Sequence, residues 1–397
     1  MLKLLKYLLT VVLLLLFFGI ENVSFQPEFS KTKANINNLK FKSIYSINPT
    51  VNKTSDYSSK KRIVSNDIIN ADFAVLAPRN ISGIFSEKGD INSLKKEKNT
   101  FKTEIKNINI SFLRVVFDND IFDNTDYYYT NGVRLELVFG FIANAPTSKI
   151  LLGLKKSKYD FQGFSLVQNI YTPVNPDTKI VSTNDRPFSA YLTIGHFRES
   201  INIEKGLRMK SEFSVGVLGP ASLGGRVQSS IHEIEPIGWE NQIKNDIVID
   251  YSLQLDKTIL GKKSFEISAL GKARFGTVYN KLGGGASFRL GRFIPILDNQ
   301  WVGNKQDGSN KFNFWFFSKA QFDFVLYDAT LQGGLFNNQN LYTISASQMN
   351  RFVLKASAGM AFYYGRLGLE IENFYLSPEF KGAYEFRHGR INLVIGF

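Results

Sequence analysis

From residue 105 to the C terminus, apolar and polar positions alternate in short runs separated by Gly, Pro, Asn and Asp. The cleanest run is 247–256. Ile247, Ile249, Tyr251, Leu253 and Leu255 occupy its odd positions, and every even position except Val248 is polar. A period of two sorts side chains onto the two faces of a strand. The chain ends the same way, with Ile391, Leu393, Ile395 and Phe397 on one face and smaller or polar residues on the other. Such runs occur at 107–117, 130–142, 161–171, 187–198, 208–217, 245–256, 264–278, 281–293, 312–327, 350–363, 365–376 and 384–397. Runs of about 10 residues cross a bilayer when tilted, and an even number of strands brings both ends of the wall together on the periplasmic side. The pattern predicts an all-β fold, a twelve-stranded antiparallel transmembrane β-barrel, over residues 105–397. The connections around 143–160, 218–244 and 294–311 are expected to be loops or short helices. Tyr127, Tyr128, Tyr129, Tyr363 and Tyr364 stand near strand ends as candidate girdle aromatics.

The N-terminal region follows a different logic. Lys3 and Lys6 precede an apolar run at 7–20 that only Thr10 and Gly19 interrupt, and polar sequence begins at Glu21. This is the layout of a secretory signal peptide at 1–20, too short to span a bilayer comfortably. No small-x-small cleavage site follows, so an uncleaved anchor is the alternative. No other apolar run reaches the roughly 18 residues of a membrane helix. Residues 21–104 are rich in Asn, Ser, Lys and Ile without a sustained period, and they carry Lys60-Lys61-Arg62 and Lys95-Lys96-Glu97-Lys98. They read as a flexible polar, low-complexity linker or pro-segment, with a small folded piece around 68–85 as the alternative.

Composition narrows the function. Cysteine is absent, which removes disulfides, thiolate metal sites and a lipidated N-terminal cysteine. The chain has 35 Phe and 17 Tyr but only 3 His and 3 Trp. Its mean hydropathy of −0.12 is ordinary, as expected when hydrophobicity is hidden in alternation. The net charge of +13 invites a nucleic-acid reading. Residues 1–104, however, carry 16 Lys or Arg against 9 Asp or Glu, so about half of that charge precedes the barrel. No basic helix face or nucleic-acid motif accompanies it, and anionic lipid headgroups are the better partner.

Two patches could carry chemistry. His232 ends the stretch from Leu218 through Gly219-Pro220-Ala221-Ser222-Leu223-Gly224-Gly225, and on a helix it would share a face with Gln228. Read alone, this is a surface helix with an incidental histidine. No Lys-Ser or Lys-Thr follows Gly225 to make a phosphate loop. The second patch spans 117–132, where Asp118, Asp120, Asp123 and Asp126 and several amides offer the hard oxygens that calcium prefers. It lacks EF-hand spacing, and an Asp/Asn-rich hairpin turn needs such residues for backbone reasons alone.

Taken in order, the motifs point to one family. Asn119-Asp120, then Thr125-Asp126 with Tyr128-Tyr129-Thr130-Asn131-Gly132, are followed by Tyr171-Thr172-Pro173 and Asp185-Arg186-Pro187-Phe188. Gly219-Pro220-Ala221-Ser222-Leu223-Gly224, Gln228, His232 and Gly238-Trp239 complete the set. This constellation resembles the outer-membrane lipid A 3'-O-deacylase family, the LpxR type, over residues 112–256 and more loosely to Phe397. Residues 21–104 lie outside it. The resemblance implies a twelve-stranded barrel in the outer membrane of a Gram-negative bacterium, reached through the barrel assembly machinery. It also implies lipid A of lipopolysaccharide as substrate, with outer-membrane lipids around it, and Ca2+ as cofactor. By the same resemblance His232 is the catalytic histidine, Asn119 and Asp120 the essential pair that also contacts the metal, Thr130 the active-site threonine, and Gln228 the glutamine one turn before the histidine. Lys179 falls by spacing near the family's lysine. Tyr127 stands where the family usually has Arg, Phe188-Ser189-Ala190-Tyr191 replaces Tyr-Ala-Gly-Trp, and Gly225 replaces a common Glu.

The implied chemistry is coherent. Ester hydrolysis needs a base to activate water and a positive centre for the oxyanion, and neutral imidazole suits the first task. A metal ion, helped by Lys179, suits the second. The competing mechanism is an acyl-enzyme on Ser222, Ser229 or Ser230, although none sits in a nucleophile elbow. Two other readings remain at this point: a non-enzymatic barrel such as a pore or adhesin, and an outer-membrane phospholipase.

Overall fold

The computed structural model describes residues 110–119, 127–176, 184–231, 237–307 and 311–397. The expected signal peptide and linker lie outside the described residues. Twelve antiparallel strands close into a barrel: β1 (Phe112–Asn119), β2 (Tyr128–Val138), β3 (Tyr159–Thr172), β4 (Ser189–Asn202), β5 (Leu207–Leu218), β6 (Asp246–Gly261), β7 (Phe265–Gly276), β8 (Tyr279–Arg292), β9 (Asn313–Asp328), β10 (Phe352–Tyr364), β11 (Leu367–Leu376) and β12 (Phe386–Gly396). Each strand pairs with its neighbours in sequence, and β12 returns to β1, with Phe112 opposite Gly396 and Asn119 opposite Gly389. Closure leaves no strand edge, which a wall surrounded by lipid requires.

All twelve predicted runs are strands. β6 continues past the expected end to Gly261 through a bulge between Thr258 and Leu260. The alternation falls as predicted. Ile247 and Ile249 are 60% and 47% exposed on the outer face, while Asp250 and Asp256 are buried in the lumen. On β12, Asn392 and Val394 point inward and Leu393 outward. The ends of the wall lie together, at the end that also carries the tight turns 203–206, 262–264 and 365–366. The connections 173–188, 219–245 and 329–351 belong to the other end, while 139–158 and 293–312 leave the first end beside its tight turns. Outer-membrane barrels keep short turns in the periplasm and long loops outside, so the first end is periplasmic.

The lumen is charged in the middle and apolar at both ends. Its central cavity of about 530 Å³ is lined by ionic networks. Glu136 accepts from Arg114, Arg134 and Lys210 at 2.9, 2.7 and 2.5 Å. Arg208 meets Glu199, Asp256 and Asp298 at 2.7, 2.6 and 2.9 Å. Buried ions persist only when paired in this way. Below them a hydrophobic plug includes Phe112, Phe197, Leu297, Trp301, Trp315 and Tyr363. Trp301 is delivered by α2 (Gln300–Asp307) in the β8–β9 connection, and α1 (Gly224–Ile231) lies in the β5–β6 connection. At the extracellular end, Leu331 of α3 (Ala329–Gln332) packs with Tyr128, Ile344, Phe380 and Phe386.

The girdle expectation needs correction. Tyr364 is 62% exposed and fits it, but Tyr128 and Tyr363 are 2% and 1% exposed and belong to the two plugs. Tyr129 turns inward, where its hydroxyl donates to Asp118 at 2.9 Å. Their positions near strand ends gave no hint of which face they occupy.

Candidate active site on the outer wall

An outward-facing polar side chain in a lipid-facing wall is costly unless something bonds or covers it. Around the extracellular ends of β1 to β4 the wall carries several. Asn119 lies opposite Asn131 on the outer face, while their neighbours Asp118 and Gly132 line the lumen. Gln168 and Thr172 face outward from β3, flanking the inward-facing Asn169 and Tyr171. All but Asn119 are at most 5% exposed.

Local backbone irregularity brings these groups together. Tyr128 has a left-handed φ of 67°, and a bulge between Tyr129 and Asn131 leaves Thr130 without an opposite residue on β3. Bulges re-aim side chains. Here the Thr130 hydroxyl meets that of Thr172 at 2.6 Å, and Asn119 Nδ2 donates to the Thr130 carbonyl at 3.2 Å. Gln168 Nε2 donates to the Ser222 carbonyl at 2.6 Å, tying the wall to the β5–β6 connection.

That connection covers the β3 and β4 side of the patch. α1 packs on the outer faces of β3 and β4, where Ile170, Phe188, Ala190 and Trp239 form a small apolar cluster joined by Val227. Gly224 makes this approach possible, since a Cβ there would collide with that of Ala190. Gly219, with φ 90°, turns the chain at a point where a Cβ would lie 2.6 Å from the Lys244 carbonyl. Gln228, one turn beyond Gly224, is 3% exposed. Gln228 therefore stands on a helix, α1, that ends at Ile231. His232, Asp120 and Lys179 themselves lie outside the described residues.

Of the six residues predicted for the site, the structure joins Asn119 to Thr130 directly and buries Gln228 on the helix that covers the same face. Three further contributors escaped the sequence reading as site residues: Asn131, Thr172 and Gln168. Asn131 and Thr172 stand inside motifs already singled out. Gln168 shows only as a polar residue on the apolar parity of β3, a signal that needs the register to be read.

The neighbouring motif Asp185-Arg186-Pro187-Phe188 anchors rather than reacts. Asp185 accepts from the backbone of Val174 and Arg186, both at 2.7 Å. The Arg186 guanidinium lies 4.3 Å over the Tyr171 ring, pairs with Glu379 and donates to Thr330 Oγ1 at 2.7 Å. Burial disfavours its charge, but Glu379 and Asp328 outweigh that and hold it above its ordinary pKa. Phe188 stacks toward Trp239 at 5.0 Å.

The serines and histidines can be sorted by place. Ser222 is fully buried and donates to the Gly219 carbonyl at 2.6 Å, so its hydroxyl is already engaged. His388 faces the lumen, stacked on Phe374 at 4.7 Å, on the opposite side of the wall from Asn119. His196 faces outward at the periplasmic end. Neither serves this patch. For a metal, the described donors are amide, hydroxyl and carbonyl oxygens, which suit calcium in kind but carry no charge. Among the described residues no three acidic or histidine side chains gather for an ion. Asp118, a member of the acidic stretch, is committed to Arg390 at 2.6 and 2.7 Å inside the lumen.

Comparison with known proteins agrees with this architecture. The family model described as outer membrane protein LpxR matches residues 92–397. Among solved structures, LpxR from Salmonella typhimurium superposes with a TM-score of 0.59 at 21% identity, covering 72% of this chain and 100% of that one. The β-domain of the Bordetella autotransporter BrkA gives 0.38 at 8% identity, over 73% of this chain and 100% of that one. No curated protein sequence matches the chain.

Proposed function

The chain belongs to the LpxR family of outer-membrane proteins, and on that premise we propose that it is a lipid A 3'-O-deacylase, which hydrolyses the 3'-linked acyloxyacyl ester. The observation that carries this reading is the polar patch of Asn119, Thr130, Asn131 and Thr172 on the lipid-facing wall at its extracellular end, with α1 and the buried Gln228 packed beside it on β3 and β4. A substrate reaches that patch from the outer leaflet, with its acyl chains along the wall and its sugars at the headgroup level.

His232 follows α1 and takes a proton from water, whose oxygen attacks the ester carbonyl. The C–O bond to the sugar then breaks, and the proton passes to the departing 3'-oxygen, leaving a free fatty acid and a free hydroxyl. Gln228, one turn before His232, orients the imidazole or the water. Thr130, fixed by Thr172 and by the Asn119 amide, lies beside the reacting group. Asn119 and Asp120 would hold calcium, which would supply the positive centre for the carbonyl oxygen, with Lys179 as a second cation. Donation by Ser222 to the Gly219 carbonyl disfavours Ser222 as the nucleophile of an acyl-enzyme. The apolar plug across the lumen argues against an open pore.

The test is expression of the chain, and of His232→Ala, in a Gram-negative host without its own deacylase, with lipid A and phospholipids measured by mass spectrometry with and without calcium chelation. Loss of a 3'-acyl group by the parent alone, abolished by chelation, is the expected result. Unchanged lipid A with a folded barrel in the outer membrane rejects the proposal, and deacylated phospholipid instead identifies a phospholipase.

A further inference from the structure

The periplasmic half of the same wall poses a second puzzle. On β4 the outward positions run Leu192, Ile194, His196, Arg198, Ser200 and Asn202, apolar at first and polar afterwards. Gln162 on β3 and Ser211 on β5 continue this polar zone, and Gln162, His196, Ser200 and Ser211 are each less than a tenth exposed. What buries them is the β2–β3 connection, residues 139–158, which runs over the outside of the barrel.

The connection bonds the zone almost group by group. Ser148 donates to Gln162 at 2.7 Å, and Thr147 Oγ1 meets His196 Nδ1 at 2.5 Å. Leu154 N donates to Ser200 at 2.8 Å, Ser211 donates to the Leu152 carbonyl at 2.7 Å, and Tyr251 donates to the Ile150 carbonyl at 2.9 Å. With the backbone of Ile150, Leu152 and Leu154 bonded to the wall, this strap turns Phe141, Ile150 and Leu152 outward at 69%, 48% and 52% exposure. They extend the lipid-facing surface that Ile194 and Val215 begin above them.

Lysines crowd the lower edge of the strap. Lys155, Lys156 and Lys158 end it, and Asn202 links them to the next turn by donating to the Lys156 carbonyl and accepting from Lys205 N at 2.8 Å. Lys257 Nζ donates to the Lys205 carbonyl. Lys155, Lys156, Lys158 and Lys205 make no ion pair among the described residues. The adjacent carboxylate, Asp160, is taken by Arg198 through two bonds of 2.9 and 2.6 Å. Lys158 Nζ lies 5.6 Å from the centroid of the Tyr159 ring, and an apolar strip bordered by ammonium groups without carboxylate partners is what an interfacial lipid-binding element presents.

We propose that residues 139–158 form an interfacial strap in the periplasmic leaflet, and that Lys155, Lys156, Lys158 and Lys205 bind the headgroup of an anionic phospholipid there. The leaflet follows from the position of the strap at the periplasmic end, opposite the face that meets lipopolysaccharide. The inference stands apart from the proposed deacylase, because no residue of the strap contributes to the patch under α1.

The test uses the full folded chain in detergent micelles, titrated with phosphatidylglycerol or phosphatidylcholine and read by native mass spectrometry as retained lipid. Phosphatidylglycerol should be retained about tenfold better, as expected for several surface lysines near one anionic headgroup, and the preference should fade with salt. The combined Lys155→Gln, Lys156→Gln and Lys158→Gln variant should lose most of it. An extracellular control, Lys244→Gln with Lys381→Gln, should keep it. Equal retention of the two lipids by the parent overturns the proposal. So does a preference that survives in the folded triple variant, or one that millimolar inorganic phosphate abolishes, which would mark a site for free anions.

Discussion

The outer faces of β3 and β4 carry polar side chains at both ends, and each end is covered by a connection that folds back along the outside of the barrel. At the periplasmic end the strap bonds Gln162, His196 Nδ1, Ser200 and Ser211 at 2.5 to 2.8 Å, leaves His196 Nε2 buried without a partner, and restores an apolar exterior. At the extracellular end, α1 touches the wall through Gly224, Val227 and the Trp239 cluster, beside the Asn119, Thr130 and Thr172 group. The first cover spends its polar groups on the wall. The second is bonded at its base, where Gly219 N donates to the Ala190 carbonyl at 2.8 Å and the Ser222 carbonyl accepts from Gln168, while α1 itself rests on apolar contacts. A cover pinned to the wall by bonds along its length is structural, whereas a helix that stands on a small apolar foot leaves room for a substrate.

The strongest way to break this comparison is to lift α1 off its foot. Gly224→Leu places side-chain atoms where Ala190 already sits, so α1 must shift outward and carry Gln228 and the residue after Ile231 with it. Overpacking of this kind costs about 1–3 kcal/mol at the contact, and displacement by about 1 Å near a reacting group costs on the order of a hundredfold in rate. Lipid A deacylation, followed by mass spectrometry, should fall by about that factor while the barrel keeps its heat-modifiable gel mobility. Undiminished deacylation would mean that the helix is not part of the site.

A smaller effect sharpens the role of the bulge. Thr172→Val keeps the shape of β3 but removes the partner of the Thr130 hydroxyl. A lost neutral hydrogen bond is worth about 1 kcal/mol, or roughly fivefold in rate if Thr130 acts while held by Thr172. The initial rate in detergent-dispersed lipid A should drop by about that amount, with Thr172→Ser close to the parent. If Thr172→Ser is as slow as Thr172→Val, packing of the methyl group matters rather than the bond.

How far the sequence discloses this arrangement depends on the level of structure. Strand number, order and facing follow from alternation, because a period of two is enforced at every step of a closed wall. Asn119, Thr130 and Gln228 were legible because each sits in a motif that resembles a family, and the structure bonds the first two. The outside course of residues 139–158 was not legible. Gln162 and Ser200 look like ordinary breaks in an alternating pattern until the register shows which face they occupy. The lumen placement of Tyr128 and Tyr363 was hidden for a related reason, since an aromatic near a strand end suits a girdle and a plug equally.

The smallest effect is expected where the strap is pinned. Ser211 is fully buried and its hydroxyl donates to the Leu152 carbonyl, so Ser211→Ala leaves that acceptor without its donor at the edge of the lipid phase. The cost is about 1 kcal/mol of local stability, carried by the strap alone because β5 keeps its ladder to β4 and β6. Amide hydrogen exchange in residues 147–154 should therefore quicken by roughly fivefold, while exchange in β4 and deacylation of lipid A stay at the parent level. Coupled loss of deacylation would show that the two covers communicate through the wall of β3 and β4 and would remove the distinction between them. Faster exchange without that loss leaves the periplasmic cover as a separately pinned element, able to meet its own lipid while the other end works on a different one.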